Sequence, residues 1–182
     1  MTSKVFGRKS VVIFVGPKGS GKTHIGSLLE KEIGLKFLSV EKLGIENTKK
    51  SKLTGYERVK ESFHEEEAEI DRILAQRDAM SLEATGASEY FLVVLGRLRS
   101  KYNVRLIRIV SPLETCYGRI KQRDAAAHLP VSEAMIKEIN EKAARVDLEW
   151  DLTIDNSNQL SAIQIVADFK KGSVKEIWDA AS

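Results

Sequence analysis

The segment G-P-K-G-S-G-K-T at residues 16–23 constrains the fold of this chain more than any other feature. A fully apolar run, residues 11–15, precedes it, and apolar residues at helical spacing follow it from Ile25 to Ile33. A short unbroken apolar run is typical of a strand that is buried on both faces of a parallel sheet. We therefore predict a buried strand, a glycine-rich turn and an amphipathic helix in direct succession.

The turn matches the phosphate-binding pattern G-x-x-x-x-G-K-[ST] at every fixed position. Its glycines let backbone N–H groups point inward at phosphate oxygens, and the N-terminus of the next helix adds positive charge. We expect Lys22 to reach the β- and γ-phosphates of ATP and Thr23 to ligate Mg²⁺. The predicted nucleotide-binding residues are Gly16, Lys18, Gly19, Ser20, Gly21, Lys22 and Thr23.

The rest of the chain alternates short apolar segments with apolar residues at helical spacing. Four further strands are predicted, at residues 37–40, 79–82, 104–110 and 151–155. This alternation predicts an α/β fold with a parallel sheet and right-handed crossovers. Ser111, Pro112 and Glu114 predict a capping box at a helix start, and residues 47–55 indicate a loop.

Composition limits the classes of function. The chain has 182 residues, enough for one domain, and 29 basic against 26 acidic residues give a net charge of +3. An excess this small makes a nucleic-acid partner unlikely on the pattern alone. A single cysteine excludes a disulfide within the chain, and no apolar run is long enough to span a membrane. We expect a cytoplasmic protein without a membrane partner.

Over about residues 10–170, the chain resembles the small-molecule and nucleoside-monophosphate kinases, especially the shikimate and gluconate kinases. The resemblance is carried by the phosphate loop and by the order of the predicted elements. It implies a three-layer P-loop NTPase fold with a five-stranded parallel sheet in the order 2-3-1-4-5. It also implies one kinase domain, residues 1–182, with a substrate-binding insertion at 41–78 and a lid at 119–130.

Shikimate kinases carry F-x-D-x-D after the second strand, where this chain has Phe37-Leu-Ser39-Val-Glu41. Glu41 is therefore a candidate to accept the proton of a substrate hydroxyl. The alternative is that it is only the first charged residue after a strand. Ligands of such sheets bind beyond the carboxyl ends of the strands, which keeps Glu41 a candidate.

In the insertion those kinases carry F-R-x-x-E, whose arginine binds a substrate carboxylate. The corresponding segment here is Phe63-His64-Glu-Glu-Glu67, so histidine replaces the arginine and puts shikimate in doubt. Arg58 and His64 are the candidate acceptor contacts in this segment. The acidic run at residues 65–67 is interpreted as a solvated helix face rather than a metal cluster.

The remaining candidate site residues follow the third strand or lie in the predicted lid. Glu83 follows the strand and is expected to help hold Mg²⁺, while Thr85 and Gly86 line the substrate pocket in the resemblance. Arg119 and Arg123 are four residues apart, on one helix face, where related kinases clamp the transferring phosphate. A solvated basic face is the alternative for these two arginines.

Together these features predict an ATP-dependent phosphotransferase that moves the γ-phosphate to a small hydroxylated metabolite or a nucleotide. The predicted catalytic residues are Lys22, Glu41, Arg119 and Arg123, with ATP and Mg²⁺ as cofactors. The insertion is poor in arginine, which favours a hydroxyl acceptor over a nucleotide. Two alternatives remain open: a nucleotide-binding regulatory NTPase without efficient kinase activity, and a nucleic-acid end kinase.

Overall fold

The computed structural model describes residues 8–48, 51–122, 131–158 and 160–170. Five strands in these residues form one sheet: β1 (Ser10–Val15), β2 (Lys36–Leu38), β3 (Ala79–Ala84), β4 (Asn103–Val110) and β5 (Leu152–Asp155). All neighbouring pairs are parallel, and the order across the sheet is β2-β3-β1-β4-β5. The predicted fold class and strand order are confirmed.

Helices connect the strands and cover both faces of the sheet. They are α1 (Lys22–Ile33), α2 (Val40–Thr48), α3 (Gly55–Gln76), α4 (Glu89–Lys101), α5 (Leu113–Lys121), α6 (Glu133–Ala144) and α7 (Ala162–Phe169). The predicted insertion at 41–78 thus consists mainly of α2 and α3. Among the described helices, none has an apolar stretch of the length needed to cross a bilayer.

The central position of β1 explains its unbroken apolar sequence. β1 pairs with β3 on one side and with β4 on the other along its whole length. Val12 and Phe14 belong to a core shared with α1 and α7, whereas Val11, Ile13 and Val15 belong to a core shared with α3 and α4. Alternate residues of the strand therefore bury opposite faces of the sheet.

The structure corrects the predicted boundaries of the second strand and of the loop that follows it. Ladder pairing between β2 and β3 ends at Leu38, so the strand is shorter than predicted. The chain then turns at Ser39, whose carbonyl oxygen accepts a hydrogen bond from the Leu43 backbone N–H at 3.1 Å. Helix α2 begins at Val40 and ends at Thr48, so it includes the first two residues of the segment predicted as a loop.

Two further local predictions are wrong. Helix α5 begins at Leu113 without a side-chain cap, because the Ser111 hydroxyl accepts a hydrogen bond from Arg119 at 3.2 Å instead. For the last helix, the spacing of Leu160, Ile163, Val166 and Phe169 predicts one apolar face, but the side chain of Ile163 is 83% exposed. The buried face of α7 carries Ile165 and Phe169, which are four residues apart.

Gly26 tests how tightly α1 packs on the sheet. A Cβ at this position would collide with the ring of Phe37, whereas a Cβ at the helical Gly96 would meet nothing within 4 Å. We expect Gly26→Ala to lower the free energy of unfolding by about 1–3 kcal/mol through overpacking. Gly96→Ala, the control, should be neutral or raise it by up to about 1 kcal/mol. Urea denaturation measures both, and equal effects would contradict the packing described here.

Candidate functional site

The phosphate loop has the backbone conformation that its glycines predict. Gly19 and Gly21 have φ angles of 87° and 103°, in the left-handed region that favours glycine. A Cβ at Gly19 would collide with the Cys116 carbonyl, and one at Gly21 with the Asn156 amide, so both sites also lack space for a side chain. Helix α1 begins at Lys22, and its first N–H groups have no intrahelical acceptor. The loop therefore offers a built anion site.

The ammonium group of Lys22 is held inside this loop. Its Nζ donates to the carbonyl oxygens of Gly16 and Pro17, both at 2.8 Å, and the residue is 6% exposed. These contacts fix the direction of a long side chain that otherwise has considerable rotamer freedom. The positive charge is thereby kept beside the loop that the sequence predicts to bind phosphate.

Two buried asparagines hold the backbone of the loop. Asn140 on α6 accepts from the Lys18 N–H at 2.7 Å and donates to the Lys18 carbonyl at 3.0 Å. Asn156, directly after β5, donates from Nδ2 to the Ser20 carbonyl at 2.8 Å. Its Oδ1 accepts from the Leu160 N–H at 3.1 Å. Both amides therefore join the loop to elements more than 100 residues later in the chain.

Sequence reasoning missed Asn140 and gave no role to Asn156. Asn140 is four residues after Ile136 and three before Ala143, so a polar amide falls on the apolar stripe of α6. A buried polar group requires a hydrogen-bonding partner. This interruption of the stripe is the signal that could have identified Asn140.

Glu83 lies between two hydroxyl groups at the end of β3. Its Oε2 accepts from Thr23 Oγ1 at 2.6 Å, and its Oε1 accepts from Ser39 Oγ at 3.2 Å. The two predicted Mg²⁺ ligands, Thr23 and Glu83, are thus in contact. A hydroxyl and a carboxylate are hard oxygen donors, and Mg²⁺ is usually held by few protein oxygens together with water and substrate phosphates. The donor set fits this ion.

A cavity of about 190 Å³ opens in front of the loop. Its walls come from the loop, the start of α2, helix α3 and the segment from β3 to α4. The residues that line it are Lys18, Gly19, Gly21, Lys22, Thr23, Val40, Glu41, Phe63, Glu66, Glu83, Ala84, Thr85, Gly86, Ser88 and Phe91. Of the predicted acceptor contacts, Glu41, Thr85 and Gly86 therefore lie in this wall.

Arg58 and His64 are not part of this wall, and their role as acceptor contacts stays a prediction. Arg58 pairs with Glu61 at 2.8 Å and with Glu65 at 3.1 Å, and His64 is exposed. Neither lines the cavity. Successive helix residues are rotated by about 100°, so residue 64 points away when Phe63 faces the cavity.

The acidic run at residues 65–67 is not simply a solvated face. Glu66 lines the cavity, and Glu67 forms a bidentate ion pair with Arg97. Burial, with additional repulsion from Glu65 and Glu67, raises the pKa of Glu66 to about 8. Glu66 therefore contributes to the cavity wall, which the interpretation of this run as a solvated helix face did not predict.

Arg119 lies against the loop and is not among the residues that line the cavity. Its Nη2 donates to the Asn156 carbonyl at 2.8 Å, and its Nη1 contacts the Gly19 carbonyl at 3.4 Å. It joins the loop to the turn after β5. Arg123, the other predicted phosphate clamp, and residues 124–130 of the predicted lid lie outside the described residues.

Comparisons with known proteins agree with this architecture. Residues 11–146, about three quarters of the chain, match a family model described as an AAA domain. A shikimate kinase of Persephonella marina is 29% identical over 160 residues, which cover 85% of this chain and 93% of that protein.

Two solved structures share the fold at lower identity. A sugar kinase from Janibacter sp. HTCC2649, unliganded, has 14% identity and a TM-score of 0.61, covering 96% of this chain and 94% of that one. A shikimate kinase from Acinetobacter baumannii in complex with shikimate has 17% identity and a TM-score of 0.60, covering 93% and 96%. The fold is thus shared with small P-loop kinases.

Asn140 gives a first test of the site. Asn140→Ala removes two hydrogen bonds to the Lys18 backbone, each of which contributes about 0.5–1.5 kcal/mol. We expect the Kd for a fluorescent ATP analogue to rise about tenfold. Lys137→Ala, an exposed position on the same helix, is the control and should leave the Kd unchanged. Unaltered affinity in folded Asn140→Ala would show that the loop does not need this contact.

Glu66 gives a second test, through the pH dependence of stability. Its folded pKa, about 8, exceeds the ordinary value of 4.5, so the wild type loses stability as pH rises between these values. Glu66→Gln avoids this loss. We expect the free energy of unfolding of this variant to exceed that of the wild type by up to about 5 kcal/mol at pH 9 and to equal it near pH 4.5.

The matched control for this test is Glu69→Gln on the same helix. A hydrogen bond from Arg72 lowers the pKa of Glu69, so the variant should gain no stability at alkaline pH. Chemical denaturation between pH 4.5 and 9 measures both variants. A stability difference for Glu66→Gln that is independent of pH would contradict the burial of an ionisable carboxyl at this position.

Proposed function

We propose that this chain, which belongs to the AAA domain family whose model it matches, is an ATP-dependent phosphotransferase acting on a small hydroxylated molecule. One observation carries the proposal: the phosphate loop and the carboxylates of Glu41 and Glu83 line a single cavity. A donor phosphate, a metal ligand and a proton acceptor are the groups that phosphoryl transfer needs close together.

The donor side consists of the phosphate loop with Lys22, Thr23 and Glu83. The loop N–H groups and the Lys22 ammonium bind the β- and γ-phosphates of ATP. Thr23 and Glu83 hold Mg²⁺, which when bound neutralises charge that develops on the phosphate oxygens. These residues act mainly through position and electrostatics, because phosphoryl transfer needs little covalent participation from the protein.

Glu41 supplies the proton acceptor. It lies in the first turn of α2, and its Oε1 is 3.5 Å from the Lys18 Nζ, so the carboxylate is directed at the loop. The acceptor hydroxyl oxygen forms a bond to the γ-phosphorus while the bond from phosphorus to the β,γ-bridging oxygen breaks. The hydroxyl proton passes to Glu41, and ADP leaves with the electron pair of the broken bond.

The relatives support the reaction class and leave the acceptor open. A shikimate kinase and a sugar kinase, by their names, act on small hydroxylated compounds. Shikimate itself is disfavoured for this chain, because the arginine that binds its carboxylate in the resembling kinases is replaced by the exposed His64. The role of Arg119 and Arg123 as phosphate clamps stays a prediction.

ADP release tests the proposal. ADP production is measured with ATP and Mg²⁺ alone and then with a panel of sugars, amino sugars, hydroxy acids, nucleosides and oligonucleotides. At least one small hydroxylated acceptor should raise the rate, and Glu41→Gln should lower that stimulated rate at least about 100-fold. Glu46→Gln, exposed on the same helix, is the control and should retain the rate.

Three results would contradict the proposal. A nucleotide-binding regulatory NTPase would show basal hydrolysis that no acceptor raises and that Glu41→Gln leaves unchanged. A nucleic-acid end kinase would be stimulated by oligonucleotides alone and would bind them with a strong dependence on salt. If the wild-type protein did not bind ATP, the proposal and both alternatives would be wrong.

A further inference from the structure

The acceptor side of the cavity is acidic and aromatic, and from this we propose that the acceptor carries a protonated amine as well as its hydroxyl group. The inference rests on the proposed function, because it identifies the acceptor side as the part of the cavity away from the phosphate loop. It adds a substrate class: amino alcohols and amino sugars in place of carboxylates, phosphates or nucleotides.

The basic and the acidic residues that line the cavity come from different elements. Its basic lining residues are Lys18 and Lys22, which both belong to the phosphate loop. The acidic lining residues are Glu41, Glu66 and Glu83, from α2, α3 and β3. Among the described residues that line it, none on the acceptor side is basic. An anionic acceptor would therefore meet carboxylates without a counterion of its own.

The arginines of α3 and α4 closest in sequence to the cavity residues form ion pairs with other glutamates. Arg58 is bound by Glu61 and Glu65, and Arg97 forms its ion pair with Glu67. Neither lines the cavity. In the resembling kinases, an arginine of this segment binds an anionic group of the substrate. Neither Arg58 nor Arg97 is placed to do so here.

Glu66 is the residue on which the inference depends. Of the three consecutive glutamates, the first and third are paired with arginines, while the second faces the cavity. In the part of the chain that the structure describes, its carboxyl has no hydrogen bond or ion pair. Glu41 and Glu83, by contrast, contact Lys18 and two hydroxyl groups.

An ammonium group fits the surroundings of Glu66 better than other polar groups. Burial and the repulsion of Glu65 and Glu67 disfavour the carboxylate, and they raise its pKa to about 8. A neighbouring cation relieves both effects, whereas a neutral hydroxyl gives a hydrogen bond only. Phe63 and Phe91 line the same cavity, and aromatic rings favour a cation over an anion while excluding water.

Three fragments of matched shape test the charge preference directly: benzylammonium, benzyl alcohol and benzoate. Their binding to the full chain, saturated with ADP and Mg²⁺, is measured by calorimetry or ligand-observed magnetic resonance at about pH 8.5, above the pKa of Glu66, where most of the benzylammonium is still protonated. We expect benzylammonium to bind at least about tenfold more tightly than benzoate, with benzyl alcohol between them. Glu66→Gln should reduce the preference to about twofold or less, and Glu69→Gln should retain it.

Three outcomes would overturn the inference: benzoate binding as tightly as benzylammonium, no binding of benzylammonium, or an undiminished preference in Glu66→Gln. Because the test measures binding, its result does not depend on kinase activity. Glu66→Gln is expected to fold at least as well as the wild type, and its thermal unfolding with ADP present checks this.

Turnover with matched acceptors separates failure of this inference from failure of the proposed function. ADP production is compared for D-glucosamine, D-glucose and D-glucuronate, and for ethanolamine, ethylene glycol and glycolate. A higher kcat/KM for the amine of a series supports the inference, and a higher value for the acid overturns it while the kinase function stands. Amine binding without any acceptor-stimulated turnover would refute the kinase function.

Discussion

The geometry of the phosphate loop depends on two buried amides that hydrogen bond its backbone from distant elements. Asn140 satisfies both the N–H and the carbonyl of Lys18, and Asn156 satisfies the carbonyl of Ser20. In a low-dielectric interior, an unsatisfied backbone group would cost about 1–3 kcal/mol, so loop and partners keep one arrangement. The nucleotide site therefore requires α6 and the turn after β5, although its sequence motif ends at Thr23.

The parallel sheet places the carboxylates of the site beside this loop. β3 and β1 are neighbours in register, with Glu83 opposite Phe14, and β2 lies on the far side of β3. The carboxyl ends of all three strands consequently meet at one edge. This is why residues that follow predicted strands, Glu41 and Glu83, could be located from sequence: strand ends are set by topology, and the alternating pattern determines the topology.

Residues on helices and in long-range contacts could not be predicted in the same way. Which side of α3 faces the sheet is decided by the burial of Ile70, Ile73 and Leu74, and a one-residue difference in position rotates a side chain by about 100°. Transferring a family motif onto this helix therefore selected the exposed His64 and passed over Glu66. The contact of the Asn156 amide could not be predicted either, because its partner Ser20 is 136 residues away in sequence.

The charged residues that line the cavity bear on the choice between a metabolite and a nucleotide as acceptor. Phosphates are bound in proteins by arginine, lysine or backbone N–H groups. Here the described basic residues of the cavity belong to the donor loop, and the lining also includes Glu66, Phe63 and Phe91. A second nucleotide would place its phosphates against that carboxyl, whereas a cationic acceptor is attracted there and repelled from Lys18 and Lys22. In the proposed complex, the cation of the acceptor would therefore lie beside Glu66 and its hydroxyl beside Glu41.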